Sequence, residues 1–361
     1  MLRVFLVDDE PPARARMRQL LAEERDVLIV GEADDAIEAR DAIAATRPDV
    51  VFLDVEMPQV SGTTLARSLP EPRPLVVFAT AYDQYALDAF AVEAADYLVK
   101  PITRARLTTT LSRLRDRLSL RSDLERELAA ASAAQALLVP HLSEMPGYDV
   151  AALTLPARGV GGDFLVAQQV ADTRVVLALG DVAGKGMPAG LVASTLQARI
   201  ETIVRHATGG AAEVVAEVNR TLCATSDGAR FATLVYLELD PVRHEITVVN
   251  AGHPSAFLLE AGSEPVLIES TAPALGLLAN ARFYERRYSI RPQTTLFAYS
   301  DGVTEAINQA GDEFGEATLL AAIAEHSTGS VAALCRNVVD AVRRHASAPA
   351  ADDITVLALR R

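Results

Sequence analysis

The chain has no tryptophan, and aromatic residues of all kinds make up only 5% of it. Its core must therefore rest on Val, Leu, Ile and Ala. Cysteines number two, Cys223 and Cys335. Two thiols so far apart form neither a disulfide framework nor a metal-type spacing, so a cytoplasmic setting is expected. They also exclude cysteine-based phosphatase chemistry, which needs Cys-x₅-Arg. Six positions after Cys223 stands Ala229, with Arg230 one too far, and Cys335 has Arg336 adjacent. No Gly-x-Ser-x-Gly elbow and no phosphate-binding loop of the G-x-x-x-x-G-K-[ST] type occur.

Basic charge is also scarce. Lys plus Arg number 34 against 48 Asp plus Glu, a formal net charge of −14. That balance disfavours nucleic acid and anionic membrane as partners, and it suits divalent cations and basic proteins. Long hydrophobic runs are missing too. The opening run MLRVFLV stops at Asp8, too short for a signal peptide, and the weakly polar stretch 128–140 is interrupted by Ser132 and Gln135. No membrane span is expected.

What the chain does hold is apolar material, 50% of 361 residues. At about 150 residues per domain, that length suggests roughly two domains. Five short runs fall in the first part: RVFLV (3–7), VLIV (27–30), VVFL (50–53), LVVFA (75–79) and DYLV (96–99). They are nearly continuous in Val, Leu and Phe, as strands buried on both faces are. Amphipathic segments separate them, which predicts a doubly wound α/β domain around a five-stranded parallel sheet. Residues 103–138 read as one long helix. Leu107, Leu111, Leu114 and Leu118 form a heptad seam, and Leu124 and Leu128 then slip out of its register. Two readings fit this helix: packing on the first domain, which suits its first turns, or a linker that pairs with its copy in a homodimer. From Tyr148 onward strand-like runs succeed one another: TRVVLALGD, FATLVYLELD, HEITVVNAG, TTLFAYSDG and DDITVLALR. Helical stretches are expected at 189–205, 211–225, 316–326 and 330–346. Such succession predicts an antiparallel α+β domain.

Polar residues collect where the predicted strands end. Asp8 and Asp9 follow the first run, Asp54 ends the third, Thr80 the fourth and Lys100 the fifth. In an open α/β sheet these ends form the ligand crevice. Three carboxylates repel one another unless a cation joins them, and hard oxygen ligands suit Mg²⁺. Such a site, with Lys100 added, could neutralise a phosphoryl group carried on an aspartate. Each part alone would read as a turn or a cap; the joint placement gives the pattern its meaning.

The segments VFLVDDE (4–10), FLDVEMPQVSG (52–62), FATAYDQYALDAF (78–90) and DYLVKP (96–101) resemble the response-regulator receiver domain, over about residues 1–118. The resemblance implies Asp54 as phosphoacceptor and Asp8, Asp9 and Asp54 as ligands of Mg²⁺. It implies Thr80 and Lys100 as sensors of the phosphoryl group and Tyr97 as a switching aromatic. It also implies a sensor histidine kinase or phosphotransfer protein as donor. The AYDQYALDAF stretch looks like the receiver subtype often joined to a LytTR DNA-binding domain, and no such domain follows.

A second set of acids lies further on. Asp163 sits in GVGGDF, Asp181 opens DVAGKG, Asp301 begins DGVTEA, and Asp352 and Asp353 precede ITVLAL. Carboxylates from distant strand ends can hold two divalent ions about 4 Å apart, which activate water for attack on a phosphate ester. The segments AAQALLVPHL (133–142), PARGVGGDF (156–164), GDVAGKGMPAGL (180–191), NAGHP (250–254), YSDGVTEA (299–306) and DDITVLAL (352–359) resemble the PPM family of metal-dependent serine/threonine phosphatases, in its bacterial sporulation and stress-response branch. The resemblance implies a β-sandwich flanked by helices and two Mg²⁺ or Mn²⁺ ions. Their ligands would be Asp163, Asp181, Asp301, Asp352 and the backbone carbonyl of Val182. Arg158 is a weaker candidate for the substrate phosphate. His253 would line the site or stabilise its turn, and Lys185 reads as loop charge. One departure stands out: where the family often writes GGDFYD, this chain has GGDFLV, with Val166 in place of the second Asp, which would lower activity.

The expected order is a receiver at 1–118, a helical linker at 119–145 and a phosphatase at 146–361. The implied substrate is a phosphorylated STAS-type anti-sigma antagonist in a partner-switching pathway. The alternative is a catalytically weak adaptor that binds a sigma-factor regulator or a protease partner.

Overall fold

A computed structural model describes residues 1–361 except 82–93, 141–144, 146, 158, 226–229, 261 and 347–349. The chain divides into two compact units, Met1–Arg126 and Glu127–Arg361.

The first unit is a five-stranded parallel sheet in the order β2-β1-β3-β4-β5, with β1 Leu2–Val7, β2 Val27–Ala33, β3 Val50–Leu53, β4 Leu75–Thr80 and β5 Asp96–Val99. The continuous apolar runs have the meaning expected of them, since alternate residues enter different cores. Phe5, Val7, Val51, Leu53, Val76 and Phe78 meet α2 (Ala36–Thr46) and α3 (Gly62–Ser68) on one face. Val4, Leu6, Phe52, Val77 and Leu98 meet α1 (Pro11–Ala22) and the start of α4 (Arg104–Ala136) on the other. Local chemistry sets the helix starts. Pro11 and Pro12 occupy the first turn of α1, where no N–H is missed. Asp35 accepts from the N–H groups of Ile37 and Glu38, and Ser61 from that of Thr64. Strand order reverses between β1 and β3, so a crevice opens at their carboxyl ends. Asp8, Asp9 and Asp54 stand there.

The long helix α4 is continuous over 33 residues despite the slip in its seam. Leu107, Leu111 and Leu114 are buried in the first unit's core, whereas Leu120 and Leu124 are 71% and 57% exposed. The first turns therefore pack as their sequence suggested. No helix among the described residues is long and apolar enough to cross a membrane.

The second unit is a sandwich of two antiparallel sheets. One runs β13-β10-β9-β8-β7 and the other β12-β11-β14-β15-β6. The strands are β6 Asp149–Leu155, β7 Asp163–Ala171, β8 Arg174–Val182, β9 Ala232–Asp240, β10 Glu245–Ala251, β11 Ala256–Leu259, β12 Val266–Ile268, β13 Arg286–Ser289, β14 Thr295–Tyr299 and β15 Ile354–Arg360. Between the sheets, Leu165, Leu177, Leu179, Val235 and Leu237 meet Leu296, Ala298, Leu357 and Leu359. Outside the first sheet lie α5 (Met187–His206) and α6 (Ala211–Thr225). A single turn, α7 (Asp301–Thr304), follows β14. Outside the second sheet lie α8 (Gly315–Glu325) and α9 (Val331–His345). The stripe Val331, Leu334, Val338 and Val342 on α9 is buried, each side chain contributing about 1.5–3 kcal/mol of transfer free energy. The helices at 187–206, 211–225, 315–325 and 331–345 lie where the pattern put them. The strands β6, β7, β11, β12 and β13 were not foreseen.

Candidate functional site

In the first unit the strand-end residues do come together. One oxygen each of Asp8, Asp9 and Asp54 lies within 4.8 Å of the others, a spacing that could hold a hard divalent cation. Lys100 Nζ is 2.7 Å from Asp54 Oδ2 and 2.7 Å from Asp8 Oδ2. Asp54 Oδ1 accepts the N–H of Glu56 at 3.3 Å. Asp9, Asp54, Thr80 and Lys100 line one cleft of about 690 Å³. Thr80 is 1% exposed, and its hydroxyl has no hydrogen-bond partner among the described residues. Tyr97 is half-buried on β5, against the core of the α2–α3 face. Burial raises the Asp8 carboxyl above its ordinary value, against the lowering effect of Lys100. Burial alone would lower Lys100, but its hydrogen bonds to Asp54 and Asp8 outweigh that and raise it. The cleft is thus an acid cluster with its own counter-ion.

In the second unit the acids meet at one end of the sandwich. Asp163 and Asp181 face each other across the β7–β8 ladder, and Thr233 faces Asp181 across β8–β9. Directly opposed residues put their side chains on the same face, here the face between the sheets. The other sheet brings Asp301, just after β14, and Asp352, just before β15. Proximity shows in the carboxyl groups. Asp181 is pushed up to about 7, by burial first and then by Asp301 and Asp352. Asp163 is pushed well above its ordinary range by burial and by Asp181, and Asp301 is raised by burial and by Asp352. Oδ2 of Asp163 is buried and without a hydrogen-bond partner among the described residues. A Cβ at Gly162 would stand 2.8 Å from the Val182 carbonyl oxygen and 3.1 Å from Asp181 Oδ1. Both oxygens therefore line a space that only glycine leaves open. Oxygen donors, mutual repulsion and open space fit a divalent-cation site. The acids are not drawn as close as in the first unit: among the described residues, no three of them bring oxygens within 4.8 Å of one another.

Metal ligands must be deprotonated. A carboxyl whose native value is raised contributes stability below its unfolded value near 3.8 and loses it as pH rises through about 7. The stabilisation produced by added Mn²⁺, read as a rise in thermal midpoint over a chelated sample, should therefore grow from pH 5 to pH 8. An equal rise at both would contradict the site.

Several residues here had no clear sequence signal. Asp353 points inward, and its two oxygens accept the N–H groups of Ala157 and Gly162, each at 2.7 Å, so it pins the 157–163 loop to β15. Gln135, near the end of α4, donates to the carbonyl of Gly161 at 2.8 Å and accepts its N–H at 3.0 Å. His253 is buried, with Nδ1 2.8 Å from Thr233 Oγ1, and burial pushes it down to about 3. It braces the strand opposite Asp181. Lys185 is more than loop charge, since it pairs with Asp352 at 2.8 Å. Val166 is 1% exposed in the core beneath α5, on the face of β7 opposite Asp163. Arg158 lies outside the described residues.

The family model of stage II sporulation protein E matches residues 171–361. The chain belongs to this family. Residues 4–112 of the same SpoIIE-family chain match the response regulator receiver domain, so a receiver precedes a PPM-type phosphatase domain. The transcriptional regulatory protein BtsR of Escherichia coli is 52% identical over 116 residues, 32% of this chain and 48% of that protein. The chain spans about half the length of the curated relatives it matches. The SiaA-PP2C domain of Pseudomonas aeruginosa superimposes with a TM-score of 0.60 at 21% identity, over 67% of this chain and 98% of that one, a likeness of fold. The RsbU and RsbW domains of a Mycobacterium tuberculosis protein give 0.52 at 26% identity, over 59% and 60%.

Proposed function

We propose that this chain is a two-component response regulator whose aspartyl phosphorylation controls a metal-dependent phosphoserine/phosphothreonine phosphatase. The observation that carries it is the convergence of Asp163, Asp181, Asp301 and Asp352 on one end of the sandwich, with Gly162 leaving space beside Asp181 and the Val182 carbonyl. Asp181, Asp301, Asp352 and the carbonyl of Val182 would hold two Mg²⁺ or Mn²⁺ ions, with Asp163 beside them. Ions so held supply activated water and charge neutralisation for attack on a phosphate ester. The protein's own part is to fix the acids on rigid strand ends and to keep the 157–163 loop tied down through Asp353. No protein nucleophile is required.

In the receiver, Asp54 accepts the phosphoryl group from a histidine kinase or phosphotransfer protein. Asp8, Asp9 and Asp54 would hold Mg²⁺, which would supply charge neutralisation for the donor's phosphate. The phosphoryl group adds a charge of about −1.5 to −2, draws Lys100 and the unpartnered Thr80 hydroxyl toward it and alters the packing around Tyr97. The exposed part of α4, residues 119–136, then carries the change from receiver to phosphatase, with Gln135 as its contact on the GVGGDF loop. It also offers Leu120 and Leu124 to a second copy. The resemblance to the sporulation and stress-response branch supports a STAS-type phosphoprotein as substrate. Val166, buried away from the acids, gives no reason to favour an inactive adaptor.

Phosphate release from a phosphoserine STAS-type protein, with Mn²⁺ and with or without beryllofluoride, tests this reading. Beryllofluoride is expected to change the rate by about fivefold or more, in either direction. Asp54→Asn should abolish that response and keep the basal rate. No release from several phosphoprotein substrates would overturn the enzyme and leave the adaptor.

A further inference from the structure

We propose that Lys185 is an internal cation that occupies Asp352 until a divalent metal displaces it. The inference rests on the acids of the second unit being a metal site. Asp352 has two oxygens, and both are engaged. Oδ1 accepts the backbone N–H of Asp353 at 3.0 Å. Oδ2 is 2.8 Å from Lys185 Nζ, which also donates to the carbonyl of Ala351 at 2.9 Å. Each oxygen keeps a further lone pair, but a cation that takes the place of one of these donors must displace it. The Asp353 N–H belongs to the backbone that leads into β15 and cannot withdraw without moving the strand. Lys185 can.

Its loop is built for that movement. Lys185 stands between Gly184 and Gly186, with φ of 114° and 70°. These values lie in a region that side chains disfavour, so the loop turns tightly on either side of the lysine. Its side chain is 49% exposed, so it can turn outward into water without leaving a buried charge behind. The other charges nearby are acids. Asp181, Asp301 and Glu305 each feel Lys185 as a lowering influence against the repulsion of their neighbours. The lysine thus stands in, with one charge, for what a divalent ion would supply with two. A divalent ion and Nζ on one carboxylate repel at such short range, so each weakens the hold of the other.

The sign of the consequence separates this role from a structural one. A lysine that merely held the loop would, when removed, leave metal affinity unchanged or weaken it. A competing lysine, when removed, strengthens it. Mn²⁺ binding to the full-length chain is measured by electron paramagnetic resonance of the free ion, with no substrate present. Lys185→Met should bind Mn²⁺ about three- to tenfold more tightly than wild type, the range expected for a half-exposed pair and its residual field. Lys185→Arg keeps the charge and should stay within about twofold of wild type. Unchanged or weaker binding in Lys185→Met, with its circular dichroism intact, overturns the proposal. Failure of wild type and both variants alike to bind Mn²⁺ overturns the metal-site reading and the lysine's role with it.

Discussion

Asp301→Ala should lower phosphate release by about a thousandfold while leaving the protein folded. The carboxylate stands at the first residue of α7, at the sheet end that also carries Asp352. Losing a direct ligand should exceed the roughly tenfold to hundredfold cost of losing a group that only orients one, and it approaches the loss seen when a transition-state charge loses its stabiliser. The stability effect should run the other way. Asp301 is raised by burial and by its like-charged neighbour, so once ionised its charge opposes the fold when metal is removed. In chelator the variant should melt no lower than wild type, and in Mn²⁺ wild type should gain more. A variant that hydrolyses phosphoserine within tenfold of wild type would remove Asp301 from the site. Lower stability in chelator would show that it holds the fold instead.

Asp353→Ala should do the opposite: it should destabilise the second unit rather than merely silence it. The side chain is 7% exposed and accepts two backbone N–H groups at 2.7 Å from a loop about 190 residues away in sequence. Truncation strands both donors in a buried place, at roughly 1–3 kcal/mol each. A loss of about 2–4 kcal/mol is expected, or some 5–15 °C in the melting of a unit this size. Asp353→Asn keeps one acceptor and should fall between. Denaturant midpoints would decide, and a shift under about 0.5 kcal/mol for Asp353→Ala would mean that the loop is held by something else.

The neighbouring acids 352 and 353 show where the sequence was legible and where it was not. Both stand before an apolar strand, and nothing local says that one faces the cluster while the other braces a distant loop. The same limit hid Gln135 and left Lys185 read as loop charge, since their roles depend on partners brought by tertiary packing; His253 was read as a turn residue, and its backbone N–H does bond Asn250 in the NAGHP turn. Asp8, Asp54, Asp181, Asp301 and Asp352 were legible because each flanks an apolar run, and strand ends are where an α/β sheet or a sandwich gathers its ligands; Asp163, at the start of the unforeseen β7, was legible only through the GVGGDF resemblance. The strands follow a similar rule. Central β1, β3, β4, β8, β9, β14 and β15 are buried on both faces and spell continuous apolar runs. Of the strands that were missed, β6, β7, β12 and β13 are sheet edges. An edge strand such as Arg286–Ser289, mostly exposed, carries too little hydrophobic pattern to be read. The fifth, β11, has only four residues.

The bond between Gln135 and Gly161 has a consequence for the form a signal could take. The carboxamide meets both the N–H and the C=O of one residue, which lie in adjacent peptide groups, so the two hydrogen bonds close a ring. Neither survives a rotation or a slide that breaks the other. A helix moving gradually would hold the loop until the ring opens and then release it at once. Contact of this kind turns a continuous displacement into a threshold.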